Sequence, residues 1–198
     1  MKRWSPIVLL ALIATLVPGV AAAEDRDIDR FAFGIGIGLV DLSDSVLDDS
    51  TETYVAASFR ILLGDKDKNR DYQSVVAYLE PEISYWESDN RIPLLNGGTA
   101  DASQSDLMIG LNIIGVVPFN RVDYFLGAGL SIHSFDVGTD INGVMLDDDE
   151  TFGVNIQTGL DVHITDNFDV FGLLRLDLVE DIQEEQAKIV LGVRFNFG

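Results

Sequence analysis

The sequence predicts an all-β protein, an eight-stranded antiparallel up-and-down transmembrane β-barrel, and three observations predict it. From Phe31 onward, apolar residues recur at every second position in eight separate segments. In each segment one parity is large and apolar while the other is glycine, hydroxyl, amide or charge. That is the pattern of strands placed between lipid and a narrow polar interior. Beyond the N-terminal leader, no stretch is apolar for the roughly 18–20 residues that a membrane-spanning helix needs.

The leader itself reads as a signal peptide over residues 1–23. Lys2 and Arg3 supply a positive start, Ile7 to Val17 an apolar stretch, and Ala21-Ala22-Ala23 a small-residue cleavage site. Pro18-Gly19 interrupts the apolar run, which is too short to serve as an anchor. Cleavage after Ala23 is expected to leave residues 24–198 as one barrel domain.

The eight segments follow in order. Phe31 to Val40 opposes Phe31, Phe33, Ile35, Ile37 and Leu39 to Ala32, Gly34, Gly36 and Gly38. Thr53 to Leu63 opposes Val55, Ala57, Phe59 and Ile61 to Tyr54, Ala56, Ser58 and Arg60. Gln73 to Trp86 sets Val75, Leu79, Ile83 and Tyr85 against Val76, Tyr78, Glu80, Glu82 and Ser84. Ser105 to Val117 sets Leu107, Ile109, Leu111 and Ile113 against Asp106, Met108, Gly110 and Asn112. In the fifth segment Tyr124, Leu126, Leu130 and Ile132 oppose Phe125, Gly127, Gly129, Ser131 and His133. In the sixth Phe152, Val154, Ile156, Leu160 and Val162 oppose Gly153, Asn155, Gln157, Asp161 and His163. In the seventh Val170, Leu174, Leu176 and Leu178 oppose Asp169, Phe171, Arg175 and Asp177. The last, Gln186 to Gly198, opposes Ile189, Leu191, Val193, Phe195 and Phe197 to Lys188, Gly192, Arg194 and Asn196. Pro81 lacks a ladder donor, and a bulge or local break is expected there, with the strand kept.

Connections differ in length and charge. Residues 41–52, 88–103, 136–150 and 180–186 hold 17 Asp and Glu against one basic residue, Arg91, and are expected as acidic outer loops. The connections 64–72, 118–121 and 165–167 are mostly short and carry Lys66, Lys68, Arg70 and Arg121. Aromatics form two expected interface girdles, one with Phe31, Phe33, Phe119, Tyr124, Phe168, Phe195 and Phe197, the other with Tyr54, Tyr85 and Phe152. The chain has 13 Lys and Arg against 33 Asp and Glu, a net charge of −20. This excludes a generic nucleic-acid binder, whose affinity comes from neutralising phosphates. The absence of cysteine removes disulfides, thiolate nucleophiles and zinc–thiolate sites. No cofactor is expected.

On these residues the chain resembles the eight-stranded outer-membrane barrels of the OmpA transmembrane-domain and OmpX/OmpW-like superfamily. The resemblance covers Phe31 to Gly198 and is sharpest at Gly192-Val193-Arg194-Phe195-Asn196-Phe197. That run is similar to the signal by which the barrel-assembly machinery recognises its clients, with Gly192, Phe195 and Phe197 in the signal positions. Val190 replaces a usual polar residue, and Gly198 follows the terminal aromatic. The resemblance implies a location in the bacterial outer membrane, with the assembly machinery, lipid and lipopolysaccharide as partners.

Candidate functional residues fall in three groups. Arg60, Glu80, Glu82, Asp106, Asp161, Arg175, Asp177, Lys188 and Arg194 share the inward parity, so they are expected to pair across a lumen that is just wide enough for its own side chains. A plug of ion pairs is favoured over an ion path. His133 with Ser131 and Ser134, and His163 with Asp161, are the material for a lipid-modifying hydrolase. Parity puts His133 inward and Ser134 outward, so no nucleophile, base and orienting acid are expected to assemble. Asp147, Asp148, Asp149 and Glu150 form a possible weak divalent site through which acidic loops could share Mg²⁺ or Ca²⁺ with lipopolysaccharide. Asp65 to Asp71 has calcium-loop spacing but lacks the glycine and the final acid, which makes it a solvated turn. The sequence therefore favours a non-enzymatic barrel with a structural or adhesive role over a small channel, and either over a lipid-modifying enzyme.

Overall fold

The computed structural model describes residues 29–43, 50–64, 75–93, 99–119, 121–139, 149–180 and 185–198. Eight strands run in chain order: β1 Phe31–Ser43, β2 Ser50–Leu62, β3 Val76–Pro93, β4 Thr99–Val117, β5 Val122–Thr139, β6 Asp149–Thr165, β7 Phe168–Val179 and β8 Glu185–Phe197. Each pairs antiparallel with its sequence neighbour, and β1 pairs with β8 to close the barrel. Closure leaves no strand edge unpaired in hydrocarbon, where a lone backbone donor or acceptor would find no water.

The alternation sorts the side chains as the two media require. Ile37, Ile113, Leu130, Phe152 and Leu191 point outward, with Leu130 67 % and Leu191 65 % exposed. A continuous belt of such residues around all eight strands would be an aggregation surface in water and is what acyl chains solvate. Thr158 occupies an outward position, yet its hydroxyl is tied to the Tyr124 hydroxyl at 2.8 Å and to the Phe125 carbonyl at 3.1 Å. A polar group on the belt is thus kept from facing lipid unpaired.

Three expectations are corrected and one, at Pro81, is met. Of the expected loops, residues 88–93, 99–103 and 136–139 are strand: β3, β4 and β5 have 18, 19 and 18 residues, well beyond the ~9–11 that cross a bilayer. Their polar sequence hid this, because a strand that stands clear of lipid needs no apolar face. At Pro81 the expected local break is present, without a bulge. Pro81 pairs with Leu111, and the offset between β2 and β3 is the same on either side of it, Ser58 with Glu82 and Ile61 with Leu79. The missing donor is absorbed as a lapse in the β2–β3 ladder at Phe59 and Arg60; the register shift lies in β6, between His163 and Thr165. Tyr54 is no girdle residue: it is fully buried in the lumen. The lumen also holds apolar layers. Val76, Ile114, Val116 and Phe125 cluster toward the end that carries the chain termini, and Val40, Tyr54, Trp86, Phe135, Phe171, Val179 and Val190 form a second cluster.

Inward glycines make room for these rings. A Cβ on Gly192 would lie 2.4 Å from Phe171 Cζ and 2.4 Å from the Ile35 carbonyl oxygen, and one on Gly159 would lie 2.5 Å from Phe125 Cζ and 2.2 Å from the Gly172 carbonyl oxygen. Each ring packs against the glycine it is paired with on the neighbouring strand. Gly159→Ala is expected to lower stability by about 1–3 kcal/mol or more, as overpacking does. Gly172→Ala, whose new methyl would meet only Leu191 Cδ2 at 3.6 Å on the lipid side, is expected to be tolerated. The temperature at which the folded form loses its faster migration in detergent gels reads both.

Candidate functional site in the barrel lumen

All nine charged positions read from parity are buried in the lumen, and they are distributed over three linked layers. Nearest the termini, Arg60 Nε donates to Glu80 Oε2 at 2.6 Å and Arg60 Nη1 to Asp161 Oδ2 at 2.7 Å. Arg194 pairs with the same Asp161 and stands 3.8 Å from Glu80. Four strands, β2, β3, β6 and β8, are thereby tied across the tube. The guanidinium of Arg60 lies 4.5 Å from the Phe125 ring centre, and that of Arg194 lies 4.5 Å from Phe171. The two aromatics seated on glycines therefore also cover the faces of the cations.

In the next layer Arg175 Nη1 donates to Glu82 Oε2 at 2.6 Å and Arg175 Nε to Asp177 Oδ1 at 2.9 Å. Lys188 Nζ stands 3.0 Å from Asp177 and 4.8 Å from the Tyr54 ring. Tyr54 OH donates to Glu82 Oε1 at 2.8 Å and Asn112 Nδ2 to Glu82 Oε2 at 3.2 Å. Two cations face two carboxylates in each of these layers, so removing any one leaves a buried charge uncompensated.

The third layer, toward the opposite end, is built on Asp106. Its Oδ2 accepts from Trp86 Nε1 at 3.2 Å and from Gln186 Nε2 at 3.4 Å, and lies 2.8 Å from His133 Nδ1. His133 Nε2 lies 3.0 Å from Ser131 Oγ. Serine, histidine and aspartate thus stand in the order of nucleophile, base and orienting acid. The expectation that no such set assembles is corrected: the partner serine is Ser131, on the same face of β5, while Ser134 points outward as parity required. Geometry alone does not make a hydrolase. Ser131 is 2 % exposed, His133 0 % and Asp106 1 %. A Cβ on the facing Gly153 would lie 2.7 Å from Ser131 Oγ and 2.9 Å from His133 Nε2, so no carbonyl group has space beside the hydroxyl.

A smaller cluster that the sequence reading did not single out closes the terminal end. His163 reaches Asp169 at 2.7 Å and Asp123 at 3.1 Å, not Asp161, and Asn196 Nδ2 donates to Asp169 Oδ2 at 2.6 Å. Asp123 sits beside a turn and His163 beside the β6 register shift, where parity stops being a guide. Among the described residues no group of three or more His, Asp and Glu is placed to hold a metal ion. The acidic run is only partly visible: Asp147 and Asp148 lie outside the described residues, Asp149 opens β6, and Glu150 is exposed. Residues 1–23 and the turn Asp65 to Asp71 lie outside them as well. At the closing seam, Phe197 packs 5.9 Å from Phe31 and 6.0 Å from Phe59, Phe195 packs 5.2 Å from Phe168, and Gly192 lies beneath Phe171.

The model of a known family, described as outer membrane protein beta-barrel domain, matches residues 7–195. The chain belongs to this family. No curated protein matches it. Among solved structures it is similar to Neisserial surface protein A (NspA), with 19 % identity and a TM-score of 0.58 over 84 % of this chain and 97 % of that one. It is also similar to Ail, the attachment invasion locus protein of Yersinia pestis, solved with the heparin analogue sucrose octasulfate; identity is 13 % and TM-score 0.55 over 84 % and 97 % of the two chains. At these identities the likeness is one of fold. Family and fold together place the chain in the bacterial outer membrane as an eight-stranded barrel with transmembrane strands.

Arg175→Met is expected to destabilise the barrel by about 3–5 kcal/mol, because Glu82 stays buried without its cation and Asp177 keeps only Lys188. Arg121→Met, on an exposed turn, should change stability little. Urea midpoints of the refolded proteins in detergent measure the difference.

Proposed function

We propose that this chain is a non-enzymatic outer-membrane protein, a rigid plugged barrel whose projecting strands and acidic outer loops perform a structural or adhesive role. The observation that carries this reading is the filling of the lumen: charged layers bonded across the tube, with apolar clusters among them. In this reading the leader is removed on export, the barrel-assembly machinery reads the Gly192–Phe197 segment, and the loops meet lipopolysaccharide through shared divalent cations near Asp147 to Glu150.

The charge of the outer connections narrows the kind of contact. Ail is solved with a polysulfated ligand. A surface with 17 acids to one base would repel such a ligand, and long-range attraction would instead favour a basic partner or a cation-bridged anionic one. Binding to the outer surface should therefore weaken with added salt if the partner is basic, and with chelator if cations bridge it.

In planar bilayers the refolded protein is expected to pass no steady current, and Arg175→Met is expected to remain closed while losing stability. Steady single-channel steps in the wild type would replace the plug with the small-channel alternative. The Ser131–His133–Asp106 arrangement favours a lipid-modifying enzyme as the remaining alternative. Mass spectrometry of lipid A from cells carrying the wild type and His133→Ala decides it. Identical spectra are expected, and an acyl chain lost only in the presence of the wild type would reverse the non-enzymatic reading.

A further inference from the structure

Between the first two charged layers lies a cavity of about 20 Å³, lined by Ser58, Glu80, Glu82, Gln157, Arg194 and Phe171 among others. A single water needs about 10–15 Å³, so the space fits one small molecule and excludes any solute or hydrated ion. The polar atoms around it narrow the choice further. Both carboxylates are already engaged, Glu80 by Arg60 and Gln157, Glu82 by Tyr54, Arg175 and Asn112. Two buried atoms of the lining have no partner: Gln157 Oε1, an acceptor, and Arg194 Nε, a donor.

The deficit is therefore one missing donor and one missing acceptor. A bare cation would serve the Gln157 carbonyl but be repelled by Arg194; an anion would do the reverse. A molecule that gives and takes a hydrogen bond meets both needs. We infer that the cavity is a structural water site, with the water donating to Gln157 Oε1 and accepting from Arg194 Nε. The site rests on the reading of the lumen as a plug. It adds a link between β6 and β8, which are not neighbours in the barrel, and lies between the two charged layers. Apolar clusters within the same lumen slow exchange with bulk solvent.

Rotating-frame NMR on the full refolded barrel in lipid nanodiscs tests this. Dipolar contacts between water and the Gln157 side-chain amide or the Arg194 Nε proton are expected, opposite in sign to exchange peaks. Absence of any dipolar water contact at both groups in the folded wild type would overturn the site, and that measurement requires no variant to fold. Gly34→Ala puts a methyl 3.6 Å from Arg194 Nε and 3.0 Å from Ser58 Oγ, and is expected to abolish the contact. A contact that persists unchanged in this variant, once folded, places the water elsewhere and also overturns the site. Bilayer conductance of the same wild-type sample keeps the two readings apart. Steady current removes the plug and the enclosed site with it; no current and no contact removes the site and leaves the plug.

Discussion

Everything in this barrel follows from the narrowness of its interior. Eight tilted strands enclose space for one layer of side chains from each wall and little else. Within that limit a large inward residue on one strand requires a very small one beside it, and a charge on one wall requires its opposite within reach. β1 shows the rule most plainly. Its inner face over Ala32 to Gly38 is alanine and glycine, and the volume given up there is taken by Phe171 from β7 and Arg194 from β8. The alternation of glycine with aromatic and of arginine with carboxylate is one constraint expressed in volume and in charge.

Much of this was legible in the sequence because a period of two is unambiguous where the faces meet different media. The parity of Arg60, Glu80, Asp161, Arg175 and Lys188 holds because each lies within a strand and has apolar neighbours at odd intervals. Pairing across the lumen was less legible. Parity says that Arg175 points inward, but its choice of Glu82 on β3 depends on strand tilt and stagger, which no single segment encodes. Strand ends were least legible. Past Trp86 and before Asp106 both faces are polar, so β3 and β4 continue for several residues with no change in pattern to mark them. Tyr54 misled for a related reason. A tyrosine near a strand end suits a membrane interface, but its even position fixed it inward, where its hydroxyl has Glu82 to bond.

Ser131, His133 and Asp106 show how the same three residue types serve opposite ends. In an acyl-transfer site the serine must be reachable, the imidazole must be able to take and return a proton, and donors must await the developing oxyanion. Here the imidazole stacks 5.8 Å from Phe135 and the hydroxyl is pressed against Gly153. The carboxylate is shared with an indole and a side-chain amide from two other strands. A buried carboxylate gathers as many donors as its surroundings offer, since an unsatisfied anion in such a place is costly. That demand is by itself sufficient to produce the hydrogen-bond order of a triad.

The division of labour between the two ends of the molecule has the same origin. The lipid-facing belt and the lumen are fixed by bilayer and volume, so their chemistry leaves little freedom for a partner-specific role. Beyond the belt, β3, β4 and β5 continue into water, where neither constraint applies. Sequence there is released from the apolar alternation. A fold of this kind supports many roles. The sign of the charge in the connections, 17 acids to one base, is therefore a property of residues that the barrel needs for neither packing nor closure.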